Sequence, residues 1–352
     1  MFFLLFSLIP LAFCLDHPVN VFTVGQNQSF ISMASLAQTR YIFASKSVYT
    51  LNLAVREEDK DFSTCYLYKG ESIEEGTLLM NFTELTKGKV YSFDYSTTMV
   101  CDESTYPEGY LVAVPLSDDL TSSSRWFMRI GLPISMELVS TDSDPAYLTT
   151  YCAKSCVEYL QSVYSDTDGT FSIHAGMPGS LLELTSFPVN NSNSSLPQEV
   201  RGTTRTYKLV SGTADLEISA DSSTWSTITS ERNGFFMSAN YPEIDLTQNA
   251  AMFMTGEEVM IFNFTIVEMA VGEGNFSAKI DYKDYKSYAM FLQTDLPVEY
   301  SIREQKGYNL SFELKQGTEL AKGGLVRFEI RNAAHENPFL TVVLVLLFRT
   351  VY

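Results

Sequence analysis

Apolar and polar residues alternate through three stretches in the second half of the chain, with Ile261 the exception. Met260, Phe262, Phe264 and Ile266 take every second place in the first, Phe276, Ala278 and Ile280 in the second, and Tyr308, Leu310, Phe312 and Leu314 in the third. Successive side chains of a strand point to opposite faces, so a period of two predicts half-buried strands there. Short runs rich in Tyr, Phe, Val and Thr predict more strands at Tyr49 to Val55, Cys65 to Tyr68, Val90 to Tyr95, Tyr110 to Val114 and Trp126 to Ile130. Others follow at Tyr207 to Ile218, Gly234 to Ser238, Glu299 to Ile302 and Leu325 to Arg331.

One segment follows a different rule. Leu148, Cys152, Cys156, Leu160 and Val163 are three or four residues apart, which sets them on one stripe of a helix with Asp144 as N-cap and Pro145 at its first position. The expected fold class is mainly β, antiparallel β-sandwich domains with one short helix-containing connector. The polar run Val189 to Pro197 has no periodicity and reads as an exposed linker. The divisions that follow are an N-terminal β domain over 15–116, the connector over 117–185, a glycosylated linker over 186–203 and a second β-sandwich over 204–331.

Both ends are apolar. Phe2 to Leu11 precedes small residues at Ala12 and Cys14, the form of a cleaved secretory signal over 1–14. It is too short to span a bilayer, and Phe13 is too bulky for a bacterial lipobox. At the other end Asn332, Ala333 and Ala334 provide small residues for attachment. His335 to Pro338 provides a short polar spacer and Phe339 to Phe348 a hydrophobic tail, the order of a GPI signal over 332–352. A final buried strand and a short membrane anchor are the competing readings of the same tail.

Charge and cysteine usage narrow the compartment. With 24 basic against 42 acidic residues and a net charge of −18, the chain is a poor match for a phosphate backbone, so no nucleic-acid partner is expected. The same acidity repels anionic headgroups, which leaves a lipid anchor as the expected means of membrane attachment. Asn-x-Ser/Thr sequons stand at Asn27, Asn81, Asn190, Asn193, Asn263, Asn275 and Asn309. The alternation places Asn263, Asn275 and Asn309 on the polar faces of their strands, where glycans would reach water. Once Cys14 leaves with the leader, Cys65, Cys101, Cys152 and Cys156 remain, an even set suited to an oxidising compartment. An intact helix would send Cys152 and Cys156 outward to Cys65 and Cys101. A loop there would favour Cys152 with Cys156 and Cys65 with Cys101, and the sequence does not choose between them.

Chemistry is sparse. The three histidines are His17, His174 and His335, and His174, beside alternating Phe171 and Ile173, reads as a strand residue. There is no His-Glu-x-x-His zinc site, no Gly-x-Ser-x-Gly elbow and no phosphate-binding loop. A carboxylate pair is always available among 42 acidic residues and so carries no weight. Asp142, Asp144, Asp166 and Asp168 are oxygen donors of the kind calcium takes, although Asp168-Gly169 is first of all a turn. No cofactor is expected. The 24 Phe and 20 Tyr read mainly as sandwich core, with Tyr282, Tyr285 and Tyr288 as a candidate contact surface.

The run Gly234-Phe235-Phe236-Met237-Ser238-Ala239-Asn240-Tyr241-Pro242 resembles the opening of a CUB domain, and Asn249 stands where that family's next Asn would be. Cysteine and Trp are missing from Ala250 to Thr255, and with the apolar ends this makes the chain similar to the nematode CUB-like group of secreted or GPI-anchored proteins. Cys65 to Gly70 is faintly similar to another strand of the family, which implies an N-terminal copy. The resemblance implies a jelly-roll sandwich used for binding extracellular protein or carbohydrate, with members associated with infection and stress responses. Recognition, rather than catalysis, is therefore the expected function. An extracellular carboxylate-type hydrolase and a self-associating surface-coat component are the alternatives.

Overall fold

The computed structural model describes residues 19–25, 30–32, 39–55, 65–81, 91–101, 109–116, 124–128, 133–141, 144–220, 231–282, 287–292, 295–296 and 299–333. The expected leader, Asn27, Asp142, Tyr285, Ala334 and the apolar tail lie outside them. Among the described residues the regular structure is strand, apart from 3-10 turns. The chain divides into two units, Met1–Met128 and Arg129–Tyr352.

The first unit holds β1 (Val19–Thr23), β2 (Phe30–Ser32), β3 (Arg40–Ala44), β4 (Tyr49–Val55), β5 (Cys65–Lys69), β6 (Thr77–Asn81), β7 (Tyr91–Phe93), β8 (Thr97–Cys101), β9 (Gly109–Pro115) and β10 (Ser124–Met128). One sheet runs β1-β3-β8-β5-β6 and a second set runs β10-β4-β9-β2, with β7 also paired to β4. Phe43, Tyr49, Leu51, Leu67, Met99 and Leu111 from both sets share one core. Tyr49 ties the layers together through a 2.7 Å hydrogen bond between its hydroxyl and that of Thr97. Burial pushes its phenol up to about 12. Cys65 and Cys101 face each other in register across β5 and β8 and are joined as a disulfide.

The second unit opens with β11 (Ile134–Ser140), β12 (Ala146–Tyr164), β13 (Thr170–Ala175), β14 (Leu182–Pro188), β15 (Gln198–Val210) and β16 (Gly212–Ser219). These strands pair as β14-β13-β15-β12, with β16 joining β12 to β11. The remaining strands are β17 (Arg232–Met237), β18 (Ala250–Ala270), β19 (Asn275–Asp281), β20 (Ser287–Leu292), β21 (Tyr300–Lys315) and β22 (Gly323–Asn332), ordered β17-β22-β18-β21-β19-β20. The register of β18 shifts between Thr255 and Met260. Met252 and Met254 before that bulge share a core with Phe262 and Phe264 after it, as the two layers of a sandwich require. Phe312 sits at the centre, its ring 5.3 Å from Phe264, 5.5 Å from Phe236 and 6.0 Å from Phe276. The three alternating stretches are the strands that supply this core, and each buried Phe contributes roughly 2–3 kcal/mol.

The expected helix is absent. Ala146–Tyr164 is a 19-residue strand, and Asp144 bridges back to Thr141 instead of capping a helix. Tyr147, Leu148, Thr149, Thr150 and Tyr151 are all buried, so both faces of β12 are covered over its first part and the period of two that marks a strand is erased there. Its Tyr, Thr and Val content then favours the extended form. The expected linker is also a packed element. Val189–Ser194 forms a 3-10 turn in which Val189 and Ser192 are buried, with Ser192 Oγ donating to the Val163 carbonyl at 2.7 Å. Ser192 thus satisfies a backbone group inside the fold, while Asn190 and Asn191 face water. The single strand expected over Tyr207 to Ile218 breaks at Ser211 and Gly212, both at positive φ.

Candidate functional site

The CUB-like run lies at one end of the C-terminal sandwich. Gly234 to Met237 belongs to β17, where Gly234 leaves room for the Phe328 ring. Ser238 to Pro242 then turns, and the Tyr241-Pro242 peptide is cis. Tyr241 is 2 % exposed and its hydroxyl donates to Glu268 at 2.8 Å. Burial first, and then that hydrogen bond, push the phenol pKa well above its ordinary value. Lys322 Nζ donates to both oxygens of Glu268 at 2.6 and 2.8 Å. Burial alone would raise the Glu268 carboxyl, but the hydrogen bonds from Lys322 and Tyr241 outweigh it and hold the pKa below the usual value.

Two glutamines lock the loops beside this triad. Gln248 is fully buried; its Oε1 accepts from Ser238 Oγ and from the Asn240 amide, and its Nε2 donates to the carbonyls of Glu243 and Ala321. Gln316 Nε2 donates to the carbonyls of Asp245 and Glu319, while its Oε1 accepts from the Gln248 amide. The Asn240 amide group reaches Asp245 Oδ2 and Thr247 Oγ1, and Asn249 Oδ1 accepts from the Gln316 amide. Loops 238–249 and 316–322 thus form a single hydrogen-bonded body, without the side-chain freedom that binding would otherwise have to remove.

The sheet that carries that body is joined to the first sheet of its unit by polar residues of β15, β17 and β22. Arg205 is 2 % exposed and its Nη2 donates to the Tyr241 carbonyl at 3.0 Å. Burial pushes the guanidinium down to about 10, against the charges of Glu158 and Glu243. Gln198 Nε2 donates to Asn233 O at 2.9 Å, and Arg232 Nη2 donates to Pro197 O at 2.6 Å. From the other direction Arg327 Nε donates to Leu184 O at 2.9 Å. None of these residues announces itself in the sequence, because a polar residue in a strand looks alike whether it meets water or another sheet.

The other expected site residues are scattered. Asn263, Asn275 and Asn309 stand on β18, β19 and β21, each half-buried and next to a core residue of its own strand. Asn263 Nδ2 donates to Glu329 at 2.8 Å, and Asn190 Nδ2 donates to Asp168 at 2.9 Å. Asn275 and Asn309 have no side-chain partner among the described residues. Asn81 ends β6, and Asn193 lies in the 3-10 turn. Asn332 is paired with Met260 at the end of β22, beside a cavity of about 320 Å³ lined by Glu231, Ile261 and Arg331, and Ala333 follows it. Cys152 and Cys156 form a disulfide across the point where β12 shifts register against β15, which settles the pairing left open by the sequence. His174 Nε2 lies 2.8 Å from Ser172 Oγ within β13. Tyr282 is 38 % exposed and packs on Tyr308, whereas Tyr288 turns toward the core. Among the described residues no three His, Cys, Asp or Glu side chains converge as metal ligands, and no helix is long and apolar enough to cross a membrane.

The architecture is that of a disulfide-bonded, mainly β protein whose described sheets are antiparallel except at the parallel β1–β3 and β4–β10 pairs. Residues 133–221, which are β11 to β16, match a family model described as Domain of unknown function (DUF7591). No curated protein matches. Among solved structures the chain is similar to the CUB1-EGF-CUB2 domains of rat MASP-1, at 8% identity over 58% of this chain and 99% of that one, with a TM-score of 0.20. A score that low adds nothing to the topology described above.

Proposed function

We propose that this protein is a secreted or cell-surface glycoprotein that acts by binding, with the locked loops at the end of its C-terminal sandwich as the binding site. The carrying observation is the lock itself. Gln248 and Gln316 are committed to holding loops 238–249 and 316–322 in one conformation, as expected of a preorganised recognition surface. Two disulfides fit folding in an oxidising compartment. Glycans at Asn263, Asn275 and Asn309, and lipid attachment within Asn332 to Ala334, complete the reading. The partner is an extracellular protein or carbohydrate, and the resemblance of Gly234 to Pro242 to a CUB opening supports that class, with a role in defence or stress as its implication.

The test is expression of the full chain in eukaryotic cells, treatment of intact cells with phosphatidylinositol-specific phospholipase C, and mass mapping of the released protein. Release with a C-terminus inside Asn332 to Ala334 and glycan mass on the sequons is the expected result. A mature chain that retains Phe339 to Tyr352, or that stays reduced and unglycosylated in the cytosol, would overturn the reading.

A further inference from the structure

Loops 238–249 and 316–322 meet through one isolated bridge. The Asp245 amide donates to the Ala321 carbonyl at 3.0 Å and the Ala321 amide donates to the Asp245 carbonyl at 3.1 Å. Side chains alternate on either side of such a pair, so when Asp245 and Ala321 face inward, the neighbours Leu246 and Leu320 stand opposite each other on the outward face, and Ile244 joins them two residues back. Ala321 is buried at 6 % exposure, while Ile244, Leu246 and Leu320 are 70 %, 56 % and 63 % exposed. Single exposed aliphatics are ordinary, but three gathered by one bridge on a backbone held rigid by Gln248 and Gln316 are a patch.

The surroundings of the patch are acidic. Glu243, Asp245 and Glu319 lie in the same two loops, and Glu273 joins them by accepting from Thr318 Oγ1 at 2.7 Å. Lys322 is the one basic residue of these loops, and its charge is taken up by Glu268. An apolar patch borne on loops rich in carboxylates selects its partner by charge. It repels anionic bilayers, and it repels a second copy of itself, since two acidic surfaces would meet. From this geometry we infer that the Ile244, Leu246 and Leu320 patch docks a protein surface whose apolar centre is framed by lysine or arginine. This rests on the recognition reading above and names the partner chemistry at the same loops.

The test uses the full-length secreted protein and a fluorescent 14-residue helical peptide of leucine and lysine, with a leucine and glutamate peptide of equal apolar content and polylysine as comparisons. The leucine and lysine peptide should bind at least tenfold more tightly than either comparison. Leu246→Asn with Leu320→Asn should weaken it at least tenfold, and Glu243→Gln with Glu319→Gln should weaken it and flatten its salt dependence. Equal binding of the two leucine peptides, or no effect of the Leu246→Asn and Leu320→Asn pair, overturns the inference. So does patch-dependent binding to phosphatidylserine vesicles, or dimerisation in sedimentation that the pair abolishes. Binding of the same protein to intact cells separates the two levels: if wild type and the Leu pair bind cells equally, recognition stands and the patch is wrong. If wild type binds no cells, recognition itself fails.

Discussion

A β-carbon on Gly202 would fall inside the guanidinium of Arg205. Gly202 has φ 113° and lies opposite Cys156, where the register of β12 and β15 shifts. The absence of a side chain there lets the Arg205 cation fold back over its own strand and reach the Tyr241 carbonyl.

Gly202→Ala should therefore cost about 2 kcal/mol or more, from the left-handed backbone and from displacement of a buried cation. Chemical denaturation of the purified protein measures it. A loss below about 0.5 kcal/mol, the scale of an ordinary surface change, would show that Arg205 moves aside freely.

Gln198 is fully buried and bridges two sheets through Ser195 O and Asn233 O. Gln198→Leu keeps the volume but takes the donor from the buried Ser195 carbonyl and removes the tie to Asn233, a cost of about 1–3 kcal/mol. The cost should appear as a lower denaturation midpoint of the second unit while the unfolding of the first is unchanged.

The two disulfides differ in the loop they close, with sequence separations of 36 for Cys65 and Cys101 and 4 for Cys152 and Cys156. On chain entropy, removing the first by paired Cys→Ser changes should cost about 4 kcal/mol and removing the second about 2. Calorimetry of both variants tests that order, and the reverse order would contradict it.

The Glu268 carboxyl, held low by Lys322 and Tyr241, predicts a pH signature. A depressed folded pKa contributes stability that is present above the unfolded value, about 4.3 for glutamate, and is lost as pH falls through the lower folded value. The pair is part exposed, so solvent screening keeps the effect small. Melting temperatures of wild type and Glu268→Gln should differ at neutral pH and converge in acid below the folded value. A difference that stays constant into acid would remove the ion pair as its cause.

Among the described residues Asn275 and Asn309 have no side-chain partners, whereas Asn263 Oδ1 accepts from the Glu304 amide at 2.7 Å, at a residue with φ 59°. Asn275→Gln and Asn309→Gln should each remove one glycan from the mass at little cost in stability. Asn263→Gln should in addition cost about 1 kcal/mol, and equal stability of all three variants would show that the Glu304 turn holds without it.

Strands with one wet face were legible in the sequence. Phe262, Phe264, Phe276, Phe312 and their neighbours alternate because water covers the other side, and the structure places them in the core. The same logic failed at β12, where Tyr147 to Tyr151 are buried on both faces and chance spacing of Leu148, Cys152 and Cys156 imitated a helix. It failed again at Val189–Ser194, where Val189 and Ser192 are buried and the Ser192 hydroxyl serves an internal hydrogen bond. At the candidate site, the run from Gly234 to Pro242 stood out, but Gln248, Gln316, Arg205 and Glu268 did not. Their partners lie up to 73 residues away, and nothing local marks a glutamine that will be fully enclosed.

Alone, the order of residues determined that this chain builds strands with one apolar face and an aromatic core, because a period of two is a local property that needs no partner to be read. Which cysteines pair, which polar groups are buried and which aliphatics meet at Asp245 and Ala321 were decided only by the tertiary structure. Each of those depends on segments distant in the chain arriving side by side, and hydrogen bonds and charge pairs gain their energy only once that has happened and water has been excluded.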